Sequence, residues 1–323
     1  MKESSILITG VGAIIGQGII RSLLGKDLEF RLVGIDANPC SVGFHWTEVS
    51  YTVPRTDDPD WLPSIIDICN REKVVLVLPG IEQDAKAFSQ NLEEIRKRTK
   101  ALPLLNSPEA ERVGFDKWEL YLFALAKNVK TPPTWLPTEE QMDPLRNYHY
   151  PLLLKPRKGM AGKGIYRLES GVDLKFWKER LPPNEYILQE NIGTDDEEYT
   201  VSIFGFKNES LSEPFALKRR LSYGSTFEAE TIFDSGLSSE VTRIANELKV
   251  VGPTNLQFRK VEKEYLLMEI NPRFSSSTSI KSAFGFNEPL MAIKSFLYGK
   301  TEIHLELKTG RCSRYIEDYI VFK

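Results

Sequence analysis

Along the first hundred residues, short runs of consecutive apolar positions alternate with stretches whose apolar positions recur three and four apart. SSILITG runs into GVGAIIGQGIIRSLL, and RLVGID follows. A helical pattern from Trp61 to Arg71 precedes VVLVLPG, which leads into IEQDAKAFSQNLEEIRKR and the short run KALPLLN. A continuous apolar run suits a strand buried on both faces, and the three-four spacing suits a helix with one apolar stripe. Strand and helix in alternation predict an open parallel sheet over residues 1–105. From Ser107 the pattern turns helical until Pro132 and Pro133 break it. YPLLLKPRKGMAGKGIYRL then reads as a strand, a glycine loop and a second strand beginning at Ile165. The segments EYILQENI, TVSIFGF and TNLQFRKVEKEYLLMEIN are further strands, FALKRRLSYGSTFEAETIF brings another flexible turn, and the chain after Asn287 reads as a helix, a turn near Gly299 and short closing strands. The expected organisation is α/β followed by α+β, with boundaries near 1–105, 106–185 and 186–323.

The stretch Thr254–Ser279 carries polar side chains at strand spacing inside apolar runs. Alternation puts Asn255, Gln257 and Arg259 on one face, and Leu267, Glu269 and Asn271 on one face of the next strand. With a turn centred near Lys263, antiparallel pairing sets Gln257 opposite Glu269, and Asn271 and Arg273 continue the same floor. Carboxylate and amide oxygens of this kind suit Mg²⁺, which takes few protein ligands and keeps water and phosphate oxygens as the others. An unpaired carboxylate between Met268 and Ile270 costs several kcal/mol to bury, so an internal strand demands a cation for Glu269. On an edge hairpin Glu269 would simply face water, and the pattern alone leaves that alternative open.

Other candidates fall along the chain. Lys155 ends a strand before Gly159, Gly162 and Gly164, with Lys163 inside the loop; glycines let backbone N–H groups approach phosphates, and a lysine adds a compact charge. A solvated glycine hairpin is the plain alternative. Gln189, Glu190, Asn191 and Ile192 close the next strand, and the acidic run Asp195–Glu198 reads mainly as a solvated turn. Arg219 and Arg220 offer guanidinium forks for a carboxylate or phosphoryl group. Lys117 follows Asp116 on a helix rim. Glu82 and Asp84 lie just past the carboxyl end of a strand, where they either face a substrate or favour a helix start. Gly10, Gly12 and Gly16, with Asp36 at the end of the next strand, look like the first unit of a Rossmann-like sheet. Their GxGxxxG spacing departs from GxGxxG, so they serve either a dinucleotide or close helix-on-strand packing.

Composition narrows the classes. A formal charge of −3 with interspersed signs speaks against nucleic acid or an anionic membrane as principal partner. No apolar run reaches the length of a membrane span and the start lacks signal-peptide order, so a cytoplasmic location is expected. Cys40, Cys69 and Cys312 are too scattered for a disulfide framework or zinc site, and His45, His149 and His304 stand alone.

NLQF followed by MEINPRFSSSTS resembles the metal-binding hairpin of the ATP-grasp superfamily, most closely the ATP-grasp domains of carbamoyl phosphate synthase large subunits. The resemblance covers roughly Ser107 to Lys300 and extends more loosely to the amino-terminal domain. It implies a Rossmann-like pre-ATP-grasp domain followed by a two-lobed ATP-grasp fold. It implies ATP with Mg²⁺, in two ions or with Mn²⁺ as substitute, held by Gln257, Glu269 and Asn271. It places Arg273 on the transferred phosphoryl group and Lys117, Lys155 and Lys163 with the glycine loop on the phosphates. The hinge Gln189, Glu190 and Ile192 then meets adenine, and acidic Glu190 and Glu198 hold the ribose. Ser276 stands where the synthase pattern has a second arginine, which turns the expectation away from carbamate chemistry. The implied activity is an ADP-forming carboxylate ligase that passes an acyl phosphate to an amine or thiol, with dimerisation compatible with the family. Three rivals share parts of the sequence: an NAD(P)-dependent oxidoreductase using Gly10, Gly12, Gly16 and Asp36, a kinase with a stable phosphorylated product, and a non-catalytic nucleotide-binding regulator.

Overall fold

The computed structural model describes residues 3–138, 148–159, 164–182 and 184–321. Five strands, β1 (Ser5–Thr9), β2 (Arg31–Asp36), β3 (Val49–Thr52), β4 (Val74–Leu78) and β5 (Leu102–Pro103), form a parallel sheet in the order β3-β2-β1-β4-β5. Its alternate side chains feed two cores, as a parallel sheet covered on both faces requires. Leu7, Val33 and Val77 pack with Trp61, Ile65, Phe88 and Ile95. Ile6, Ile8 and Leu76 face the other way, into a core completed by residues from far along the chain.

The glycine turn after β1 is tightly filled. Gly10 has φ +57°, and a Cβ on Gly16 would lie 2.2 Å from Gly10 O, while one on Gly80 would lie 2.0 Å from Thr9 O. Helix α1 (Ile14–Leu23) therefore sits directly on the strand ends. The expected single helix over 82–98 is two, α3 (Glu82–Gln90) and α4 (Leu92–Arg98), after α2 (Trp61–Arg71). The break falls at Asn91, whose amide donates back to Ala87 O at 2.9 Å and whose backbone carbonyl starts the second helix.

A six-stranded antiparallel sheet forms the larger lobe in the order β14-β13-β10-β11-β12-β15. Its strands are β10 (Glu198–Gly205), β11 (Phe215–Ser222), β12 (Ser225–Ile232), β13 (Gly252–Val261), β14 (Glu264–Asn271) and β15 (Arg311–Ser313). One face packs against α1 and Ile6, Ile8 and Leu76 through Phe204, Phe215 and Leu217, so the first sheet and the larger lobe share one continuous core. The other face, with Val201, Leu256, Phe258 and Ile270, is covered by α5 (Pro108–Gly114), α6 (Lys117–Ala126) and a helix over Ser235–Leu248. Residues 106–130 thus pack on the larger lobe, not within the smaller one as the sequence boundaries had it.

The smaller lobe is a four-stranded sheet, β6 (Thr134–Trp135), β9 (Tyr186–Glu190), β7 (Leu152–Pro156) and β8 (Tyr166–Leu168) in that order, on a small core of Leu152, Leu154, Leu168, Leu174 and Leu188. Tyr186–Glu190 pairs with Leu152–Pro156, so the change of sheet falls after Glu190 and not at 185. Asn106 fastens the segment between the first sheet and α5. Its Oδ1 accepts from Val251 N at 3.0 Å and its Nδ2 donates to Thr254 Oγ1 at 2.8 Å.

Candidate active site

Strands β13 and β14 pair with Gln257 opposite Glu269 and Asn255 opposite Asn271, as the hairpin spacing predicts. Glu262, at φ +57°, and Lys263 make the turn. One expectation fails: Leu267 does not share the face of Glu269 and Asn271. The ladder slips between Gln257 and Phe258, leaving Met268 as an extra residue. This β-bulge turns Leu267 into the core beside Phe258 and leaves Met268 and Glu269 on the wall of an open cleft.

The cleft, of about 470 Å³, lies between the two lobes and the first sheet. Gln257, Glu269 and Asn271 form its floor, Lys155 and Gly159 come from the smaller lobe, Lys117 from the start of α6, and Arg273 and Ser275 follow the floor strand. The amino end of α1 adds Ile14 and Ile15, which sequence reasoning assigned no role; the apolar pair at a helix start carried no signal beyond ordinary core. Gly162 and Lys163 lie outside the described residues.

Lys155 donates from Nζ to Gln189 Oε1 at 2.7 Å, and Gln189 in turn donates to Thr134 Oγ1 at 3.0 Å. Burial brings the Lys155 ammonium down to about 8; Lys117 nearby pushes the same way, and Glu269 opposes both. Lys117 itself donates to Gly159 O at 3.1 Å, so a lysine at the first position of α6 ties the helix to the glycine loop. Asp116 caps that helix at Trp118 N and takes both Nε and Nη2 of Arg157, at 3.0 and 2.8 Å. Burial works against its charge, but Arg157 and the backbone amide outweigh it and hold the carboxyl below its ordinary range.

The arginines around the floor come with carboxylates of their own. Arg219 is buried and donates from Nη2 to Glu198 Oε1 at 2.7 Å, whereas Arg220 is exposed and pairs with Asp196. Arg219 is therefore the cleft residue of the two. Glu198, expected at the ribose, is engaged by Arg219, and its second oxygen lies 3.8 Å from Arg259. Arg259 also binds Asp195 and the carbonyl of Ile192, the last hinge residue. Glu190 accepts from the Tyr148 hydroxyl at 3.3 Å. Arg273 pairs with Glu82 at 3.1 Å. Glu269 stands apart: among the described residues no hydrogen bond or ion pair reaches its carboxylate, which faces the amide of Gln257 across the ladder. A free carboxylate flanked by Gln257 and Asn271 is a donor set of hard oxygens, and it fits a divalent cation.

The Rossmann-like turn is spoken for. Asp36 Oδ2 accepts from Gly12 N at 2.7 Å and Oδ1 from Asn38 N at 2.8 Å, so the acid that would meet a ribose binds its own loops. Asp84 is buried beside Thr9 and is pushed up to about 6, chiefly by that burial. Cys40, Cys69 and Cys312 are free thiols, and among the described residues no helix is long and apolar enough to cross a membrane.

A parallel five-stranded domain packed on two antiparallel lobes around an open cleft is the ATP-grasp fold. Residues 184–319 match the family model described as ATP-grasp in the biosynthetic pathway with Ter operon, and residues 6–102 match the PylC-like N-terminal domain. The chain is 23% identical over 308 residues to the carbamoyl phosphate synthase large chain of Helicobacter pylori, covering 87% of this chain and 28% of that one. It thus spans little more than a quarter of the curated relative's length. Among solved structures, the biotin carboxylase domain dimer of Hydrogenobacter thermophilus 2-oxoglutarate carboxylase, in complex with MgADP, ADP and bicarbonate, superposes with TM-score 0.75 at 14% identity, over 96% of this chain and 73% of that one. N5-carboxyaminoimidazole ribonucleotide synthetase from Thermus thermophilus gives TM-score 0.71 at 18% identity, over 95% and 81%.

Proposed function

We propose that this protein is an ADP-forming carboxylate ligase, and the observation that carries the reading is Glu269. It is a carboxylate that no hydrogen bond or ion pair reaches among the described residues, set opposite Gln257 and beside Asn271 on the floor of a cleft whose arginines have carboxylates of their own. Gln257, Glu269 and Asn271 would hold Mg²⁺, which neutralises phosphate charge when bound. Lys155 and Lys117, with the backbone at Gly159, bind the phosphates. The adenine lies against the hinge Gln189–Ile192, with Met268 as an apolar surface beneath it. Arg273 stabilises charge on the phosphoryl group as it passes from ATP to a substrate carboxylate oxygen. ADP leaves with the electrons of the broken bond. An amine or thiol then attacks the acyl carbon, gives up its proton, and releases inorganic phosphate. Positioning and charge neutralisation suffice for such a transfer, so no covalent protein nucleophile is required.

The test is a thermal shift of the purified protein with Mg·ATP, with ATP and a chelator, and with NAD or NADP, followed by ADP release across pairs of acids and amines. A metal-dependent rise with ATP and acid-dependent ADP release are expected. A rise with a nicotinamide nucleotide alone overturns the reading.

A further inference from the structure

Glu82 opens α3 in the first sheet domain, and its Oε2 accepts from Arg273 Nη2 at 3.1 Å across 191 residues of sequence. Both side chains are largely buried, at 8% and 13% exposure. The other oxygen of Glu82 takes Lys86 Nζ at 2.7 Å, and that ammonium sits 4.5 Å from the centroid of the Phe115 ring. Arg273 Nη1 donates to Phe274 O at 3.0 Å. The guanidinium is thus tied at both terminal nitrogens, and a planar group tied at two points has its orientation fixed. The other ion-paired arginines of the cleft wall find their carboxylates within the larger lobe, Arg219 on Glu198 and Arg259 on Asp195. Arg273 alone among these is held from the first sheet domain.

Attachment of the two domains does not need this pair. They already share an apolar core through Ile6, Ile8, Phe204 and Phe286, and taking two charges out of water offsets much of what an ion pair contributes. The consequence lies at the arginine end. Glu198 is taken by Arg219, but Glu269 lines the same cleft and offers a free carboxylate to a guanidinium released by Glu82. Pairing with Glu269 would occupy the floor carboxylate.

We propose that Glu82 is a positioning residue: it holds Arg273 aimed at the transferring phosphoryl group and off Glu269, so that the first sheet domain completes the catalytic centre. This rests on the phosphoryl-transfer reading above. The test is ADP release from Mg·ATP, with the acid and amine pairs screened above, by wild type, E82Q, E82D, R273K and E82Q/R273K, each with a Mg²⁺ titration and a thermal midpoint. E82Q should lower kcat on the order of tenfold to a hundredfold, the range a misplaced group costs. It should leave KM for Mg·ATP within about twofold and raise the Mg²⁺ concentration for half-maximal rate. E82D should recover most of the rate, and adding E82Q to R273K should cost less than about twofold more. Unchanged kcat in E82Q, or equal losses in both backgrounds that track the thermal midpoint, overturn the positioning role. Absence of ADP release by wild type overturns the phosphoryl-transfer reading, and the positioning role with it. E82Q keeps the volume and an acceptor oxygen, so the cycle remains readable if shorter replacements fail to fold.

Discussion

Lys155 Nζ lies 2.7 Å from Gln189 Oε1, an amide oxygen and not a carboxylate, in the wall of the cleft. A buried ammonium with a neutral partner stays charged only at some cost, and its pKa falls to about 8. Below that value Lys155 is protonated in folded and unfolded chains alike and the full penalty is present. As pH rises from about 8 toward 10.5 the folded form binds fewer protons than the unfolded, so this group's contribution to stability becomes more favourable. Nucleotide affinity should run the other way. The Kd for Mg·ATP, measured by calorimetry, is expected to weaken above about pH 8 as the charge is lost, and K155M should abolish that dependence while raising the thermal midpoint at pH 7.

Among the described residues no hydrogen bond or ion pair ties Glu269 to a protein cation, so E269Q should leave the fold intact and remove the metal site. The expected result is a fall in ADP formation of at least about a hundredfold with a thermal midpoint within about 2 °C of wild type. The Mg·ATP-dependent thermal shift should disappear as well. Undiminished turnover would show the hairpin to be structural.

Arg219 has a side chain 3% exposed and depends on Glu198 for its countercharge. Removing one partner of a buried pair leaves the other charge stranded, at about 3–5 kcal/mol. Urea unfolding of E198A should therefore show a fall in unfolding free energy of that size, against a smaller loss for R219M, which removes the charge and keeps much of the volume.

The glycine turn is expected to act through packing. A Cβ on Gly16 meets Gly10 O at 2.2 Å, with backbone on both sides and no flexible side chain to yield. G16A should destabilise by about 3 kcal/mol or more, or prevent soluble expression. NAD and NADP should give no thermal shift, because Asp36 is already bonded to Gly12 N and Asn38 N. A clear nicotinamide-dependent shift would reverse this assignment.

Much of the architecture is readable from periodicity. Continuous apolar runs at Ser5–Thr9 and Val74–Leu78 are strands buried on both faces, and the charge-bearing alternation from Asn255 to Asn271 is a hairpin with Gln257 across from Glu269. Those features are local: each depends on residues two to four apart, or on a turn that fixes its own register. The bulge at Met268 was not legible, because nothing in EYLLMEIN marks which residue drops out of the ladder. Strict alternation therefore set Leu267 on the wrong face. Nor could the chain by itself assign partners among like charges. It offered Arg219 and Arg220 as equals, and only the pleat of β11 buries the first and exposes the second.

What the sequence determined alone is the set of elements and the chemical kinds of the cleft side chains, because strand and helix periods and residue types are properties of short segments. What the tertiary structure decided is which charges are neutralised and which are left free. Glu198 goes to Arg219 and Glu82 to Arg273, while Glu269 keeps its carboxylate open to the cleft. Coulomb pairing and desolvation depend on distances between segments far apart in the chain, and those distances exist only once the sheets have packed.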